Sequence, residues 1–195
     1  MEIKPFDPMQ PSYTDYIRTA RIELLHTIKA IVTEPGIQPL PTATYMGLFL
    51  NQTIIGFSES FLYDATFGGY AQNPFAPYYN LNRICPSGEM AHIRTAFLDA
   101  PYRRRTPYFV RLYLATAKTF LDKGATWTTL TTTGTPYLCA LYQKMGARQL
   151  CTITGFPGQP NTPVVLFAVE LKHLLGHAFA TRKSEQPGIS AQVAV

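Results

Sequence analysis

A mixed α/β fold with a predominantly antiparallel start is what the sequence predicts, and three observations carry that prediction. Residues 14–32, "TDYIRTARIELLHTIKAIV", hold Ile17, Ala20, Ile22, Leu24, Leu25, Ile28 and Ile31 at mostly three- and four-residue steps, the spacing of an amphipathic helix. "TYMGLFL" and "TIIGFSESFLY" are apolar, aromatic-rich runs separated only by Asn51-Gln52, the pattern of two strands joined by a tight turn. From residue 89 onward, "EMAHIRTAFL", a helical apolar pattern over 107–122 and the β-prone "ATWTTLTTT" make a strand-helix-strand unit.

Each element has a local reason. Thr14 stands where a helix cap is expected, and "EPGIQPLP" brings that helix to an end. After the hairpin, residues 64–88 are rich in Gly, Pro, Asn and aromatics and have no period, so they read as a long loop, a kind of segment that is often functional. Its Phe67, Tyr70, Phe75, Tyr78 and Tyr79 either line a pocket or lid or pack the loop onto the core. Pro107 is tolerable in the first turn of the helix after residue 106, and Gly124 suits its exit. "TPYLCALYQKMGA" is a short helix with Pro136 near its start and Gly146 at its close, followed by the strands "RQLCTIT" and "PVVLFAVEL". Residues 172 onward read as a short helix and a polar stretch; one domain is expected over 1–175 and a tail over 176–195.

Composition narrows the function. A chain of 195 residues suits one domain, and 46% hydrophobic against 15% charged residues is the balance of a folded core. A net charge of +5 favours an anionic partner. The basic residues are scattered, however, apart from Arg103-Arg104-Arg105 and residues 181–183, and nucleic acid is not indicated. Three cysteines, Cys85, Cys139 and Cys151, have neither a disulfide framework nor metal-ligand spacing, so no metal is expected and reduced thiols in the cytoplasm are. Asp7, Asp15, Arg18, Arg21 and Glu23 interrupt residues 1–30, which therefore read as neither a signal peptide nor a transmembrane segment.

The arginine triplet stands between an apolar run and a helix entrance. By itself it is open to three readings: a solvated surface, a nucleic-acid patch, or a cradle for a phosphorylated ligand. The residues around it carry a family likeness. "AHIRTAFLDAPYRRR", the helix after it, and "ALYQKMGAR" at a strand-helix-strand distance resemble the GNAT superfamily of acyl-CoA N-acyltransferases over residues 43–170, with Gly56 in "TIIGF" on the third strand. The resemblance implies a central, mostly antiparallel sheet with a splayed parallel strand pair flanked by helices. One departure is clear. The family's phosphate turn carries two glycine positions, and here they fall on Thr106 and Tyr108, which removes the close backbone approach that glycine allows. The layout "RTAFLDAPYRRR" to "GFPGQPNTPVVLFAVEL" is similar to N-acyl amino acid synthases and autoinducer synthase relatives, whose donors are fatty acyl groups on acyl carrier protein.

The resemblance implies an N-acyltransferase that moves an acyl group from a thioester to a primary amine of a small molecule by direct attack in a ternary complex. The co-substrate is acyl-CoA or the phosphopantetheine of an acyl carrier protein, and no permanently bound cofactor is expected. Arg103, Arg104 and Arg105, with the helix start at Thr106 and Tyr108, would hold the donor's phosphates, and Ala96, Phe97 and Leu98 would run beside its pantetheine arm. Tyr142 would protonate the departing thiolate, and His92 or Glu89 would take a proton from the amine. Each has a bland counterpart: solvated arginines, a core tyrosine, a structural histidine. Cys139 reads as an apolar filler and not a nucleophile. The alternative for the whole chain is a GNAT-like domain that binds without catalysing.

Overall fold

The computed structural model describes residues 1–63, 73–85, 89–103 and 105–176. Its elements run β1 (Glu2–Pro5), α1 (Pro11–Thr27), α2 (Glu34–Ile37), β2 (Thr44–Leu50), β3 (Thr53–Leu62), β4 (Glu89–Leu98), α3 (Thr106–Asp122), β5 (Ala125–Thr132), α4 (Pro136–Lys144), β6 (Arg148–Ile153) and β7 (Val164–Glu170). A helical stretch over 171–176 ends the described part. The seven strands form one sheet in the order β1-β2-β3-β4-β5-β7-β6, in which β4 and β5 are parallel and every other neighbouring pair is antiparallel.

Local chemistry explains most boundaries. Helix α1 starts earlier than the apolar spacing suggested: Pro11 fills its first turn and Gln10 is the cap, while Thr14 lies inside and donates its hydroxyl to Pro8 O at 2.7 Å. Thr33 caps the single turn α2 by accepting from Gly36 N at 3.3 Å. Asn51 and Gln52 both adopt positive φ, 49° and 67°, which gives the turn a twist that matches the two strands it joins. Gly124 (φ 89°) and Gly146 (φ 84°) close α3 and α4 in the left-handed region.

The sheet is covered on both faces. Helix α3 buries Leu112, Tyr113, Thr116, Ala117 and Phe120, and its apolar residues join Ala91, Ile93, Leu130 and Phe167 in one cluster. On α1, Ile17 and Ala20 pack with Tyr45, Phe57 and Phe97. Gly56 sits opposite Leu98, where an added Cβ would come within 2.6 Å of Phe97 O; the bare backbone lets β3 and the end of β4 approach closely.

One irregularity sets up the site. Along β3 and β4, Glu59 pairs with Thr95 and the next residue, Ser60, with Ile93, so Arg94 is an extra residue on β4, a β-bulge. The parallel ladder on the other edge of β4 ends at the same point, with Ile93 opposite Leu130. Both strands run on, β4 to Leu98 and β5 to Thr132, without pairing to each other. A bulge bends its strand and adds twist, which parts β4 from β5.

Candidate active site

The parted strands open a cleft of about 660 Å³. Thr95 and Ala96 of β4 and Thr131 and Thr132 of β5 stand on its two edges, and Tyr113 of α3 and Tyr142 of α4 line the side those helices cover. Residues of α1, the α1–α2 connection and residues 156–159 between β6 and β7 complete it. Its wall is mostly apolar, with Leu24, Ile28, Leu40, Phe61, Phe109 and Leu138, so charged groups inside it stand out.

The charged groups are Arg21 and Arg94, both in the wall, with Glu59 between them. Glu59 is 0% exposed and is held by an ion pair to Arg21, by Arg94 Nη1 at 3.3 Å, by the Tyr45 hydroxyl at 2.8 Å and by the Thr95 hydroxyl at 3.3 Å. Arg21 also donates to Gln38 O and to the Tyr45 oxygen at 3.3 Å, which ties α1 to the chain that follows α2. Burial, with Glu59 adding to it, holds the Tyr45 phenol well above its ordinary range, so it stays a donor. Two guanidiniums face one carboxylate, and the cluster has a surplus positive charge. Arg94 carries that surplus toward solvent, for its side chain is 37% exposed.

His92 lies two residues before Arg94 on β4 and also lines the cleft. Its Nδ1 is 2.7 Å from Thr129 Oγ1, which is 2.7 Å from the Tyr63 hydroxyl, and its ring packs against Phe61 and Phe75. Burial, with the Arg94 charge adding to it, lowers His92 from 6.5 to about 3, so the imidazole is neutral at neutral pH. Glu89 sits at the far end of β4, paired with Ala125, and is not part of the cleft wall. Tyr142 is 3% exposed; its hydroxyl is 2.8 Å from that of Tyr113, and burial raises it to about 12. The cleft thus unites His92, Tyr142 and Ala96, and leaves Glu89 outside.

No protein-family model matches the chain, and no curated protein matches it in sequence. Solved structures do match its shape. An N-acyl amino acid synthase from uncultured soil microbes superposes with a TM-score of 0.70 at 14% identity, over 93% of this chain and 97% of that one. An agmatine N-acetyltransferase gives 0.61 at 14%, over 87% and 98%. An aminoglycoside 6'-N-acetyltransferase complexed with coenzyme A gives 0.59 at 13%, over 88% and 97%. The chain has the GNAT fold. With so few residues shared, the fold is what these chains have in common, including the mixed sheet that the sequence resemblance implied.

Within the GNAT fold the turn between β4 and α3 is where the sequence suggested a phosphate cradle, and its residues are used unevenly. Arg103 turns back: its Nε donates to Leu98 O at 2.7 Å, a second nitrogen pairs with Glu23 at 2.6 Å, and the guanidinium lies 4.8 Å from the Phe97 ring centre. These contacts fasten the end of β4 to α1, a different use of this arginine from the one expected. Arg104 lies outside the described residues. Arg105 is exposed, and its guanidinium lies over the Tyr108 ring and donates to the Tyr108 hydroxyl at 3.1 Å. Thr106 exchanges a hydrogen bond of 2.8 Å with the hydroxyl of Tyr137 on α4. Phe97 and Leu98 are buried in the core, so only their backbone is available to a ligand; Ala96 faces the cleft.

Of the loop aromatics, Phe67 and Tyr70 lie outside the described residues, whereas Phe75 stacks on Phe156 at 5.5 Å and lines the cleft. Arg21, Glu59, Arg94 and Tyr113 were not singled out as functional from the sequence. The signal was a glutamate inside the apolar run "TIIGFSESFLY": a carboxylate in a buried strand needs a cation from elsewhere in the chain. Among the described residues no group of three or more His, Cys, Asp or Glu could hold a metal ion, and no helix is long and apolar enough to cross a membrane.

Proposed function

We propose that this protein is an N-acyltransferase whose cleft accepts the pantetheine thioester of acyl-CoA or of an acyl carrier protein on one side and an amine that also bears a carboxylate on the other. The observation that carries the reading is the parting of β4 and β5 after Ile93 and Leu130, which opens an apolar cleft directly onto His92 and Tyr142. The coenzyme A bound to one neighbouring fold and the N-acyl amino acid named as the product of another support it.

The donor's phosphates lie at the opening of α3, where Arg105, Thr106 and Tyr108 stand, and helix dipole and guanidinium charge both favour an anion. The pantetheine arm runs beside the backbone of Ala96, Phe97 and Leu98, whose edge toward β5 has no strand partner. There a backbone N–H polarises the thioester carbonyl, a contribution on the order of 2.7 to 4 kcal/mol where such a donor is well aimed. At the other end, the surplus positive charge of Arg21 and Arg94 draws the acceptor's carboxylate and disfavours its ammonium form, so the amine reaches the carbonyl neutral. His92 takes the proton that the nitrogen sheds after attack, as a base that does not stay charged, and Tyr142 protonates the sulfur as the C–S bond breaks.

The test is thiol release from fatty acyl-CoA and acyl carrier protein thioesters in the presence of paired amines, one with a carboxylate and one without. Amine-dependent release is expected, with Arg94→Ala raising KM for the carboxylate-bearing amine about tenfold (~1.4 kcal/mol) and leaving the other unchanged. Saturable binding of thioesters with no amine-dependent release from any of them would instead support a domain that binds without catalysing.

A further inference from the structure

Tyr113 and Tyr142 meet where α3 and α4 cover the parted strands, with hydroxyl oxygens 2.8 Å apart. Both are buried, both line the cleft, and among the described residues neither hydroxyl has another hydrogen-bond partner. Their immediate neighbours are rings: Phe109 is 4.6 Å from Tyr113 and Phe167 is 5.5 Å from Tyr142, centre to centre. Each phenol brings one proton, and the contact between them uses one. The second O–H is therefore a buried donor without an acceptor among the described residues, at the wall of the cleft. Folded proteins rarely leave such a donor unmet, so its acceptor is to be sought in what the cleft binds.

We propose that Tyr113 is a positioning residue for Tyr142: its O–H donates to the Tyr142 oxygen, turns the Tyr142 proton toward the cleft, and stabilises the phenolate left when that proton passes to the thioester sulfur. The inference rests on the acyl-transfer reading above. The amine nitrogen bonds to the carbonyl carbon, the C–S bond breaks with its electron pair going to sulfur, and sulfur takes the Tyr142 proton to become a thiol. His92 takes the proton shed by the acylated nitrogen and passes it on, and Tyr142 regains a proton, so that the site returns to its starting state. Throughout, the Tyr113 proton stays on Tyr113.

Electrostatics keep both phenols protonated before the reaction. Burial raises both, but the hydrogen bond from Tyr113 works against that rise at Tyr142, whereas at Tyr113 the charge of an ionised Tyr142 and the same hydrogen bond add to it. Cys139, one turn earlier on α4, is the other titratable group acting on Tyr142, and it opposes ionisation.

Tyr113→Phe keeps the ring and removes the hydroxyl. In thiol-release assays it is expected to lower kcat about tenfold with KM for both substrates within about twofold, and to add nothing further in a Tyr142→Phe background. A second readout needs no turnover. A fluorinated tyrosine incorporated at position 142, acidic enough to titrate in the folded protein, is expected to ionise about half a pH unit or more higher once the Tyr113 hydroxyl is gone. Equal kcat with and without that hydroxyl, a loss fully additive with Tyr142→Phe, or an unmoved ionisation at position 142 would each overturn the inference and leave acyl transfer standing. Absence of thiol release from the unaltered protein with every donor would overturn the acyl-transfer reading itself, and the role of Tyr113 in it.

Discussion

His92 is 3% exposed, and its imidazole is lowered from 6.5 to about 3 by burial, with the Arg94 charge adding to the effect. The unfolded chain takes up a proton at this residue below about 6.5, while the folded chain resists it until about 3. In that window the unfolded state binds more protons, so stability falls as pH falls, by up to roughly 1.4 kcal/mol per pH unit. Denaturant titrations at about pH 7 and pH 4.5 are expected to show a smaller difference in His92→Gln than in the unaltered protein. An equal difference in the two would mean that His92 is not held neutral. The same burial explains what sequence could and could not say here. "AHIRT" marks His92 as a strand residue beside Arg94, but its proximity to Thr129, Tyr63 and Phe75 arises from chain segments far apart in sequence. The Arg21–Glu59–Arg94 cluster is likewise assembled from α1, β3 and β4, and no local pattern announces it.

Among elements, β4 does most to shape the site. Its bulge at Arg94 coincides with the end of the ladder to β5, and its last residues are clamped from the other side by β3, where Gly56 faces Leu98. Gly56→Ala would press a Cβ to within 2.6 Å of Phe97 O, a backbone atom with no rotamer to change. The expected cost is about 1–3 kcal/mol in urea unfolding, together with a raised KM for the thioester, because the displaced strand end is the stretch from Ala96 to Leu98. A Gly56→Ala protein with unchanged stability and unchanged thioester KM would show that this close approach does not set the cleft. Helix existence was readable from spacing, as α1, α3 and α4 show, but ends were not: Pro11 opens α1 three residues before Thr14, because a proline in the first turn forgoes only an N–H that the helix leaves unused. The bulge left no mark on the sequence, since an extra residue in one strand is defined only against its partner.

At the scale of the whole molecule, two neighbouring relations were legible, the hairpin at the Asn51-Gln52 turn and the strand-helix-strand unit spanning β4, α3 and β5. The edge strand β1 and the seating of β7 between β5 and β6 depend on pairings between distant segments. The mixed sheet matches the GNAT fold, and the cleft forms where β4 and β5 stop pairing. The proposed phosphate cradle rests, in the sequence, on an arginine cluster. Which arginine faces outward depends on Glu23 and Phe97, which turn Arg103 back onto the end of β4. The most direct measurement is a crystal structure of the protein with an unreactive thioether analogue of a fatty acyl pantetheine thioester. The account predicts the pantetheine arm between Ala96 and Thr131 with the thioether sulfur in reach of the Tyr142 hydroxyl; an analogue bound elsewhere, with the space between β4 and β5 filled by the protein's own side chains, would contradict it.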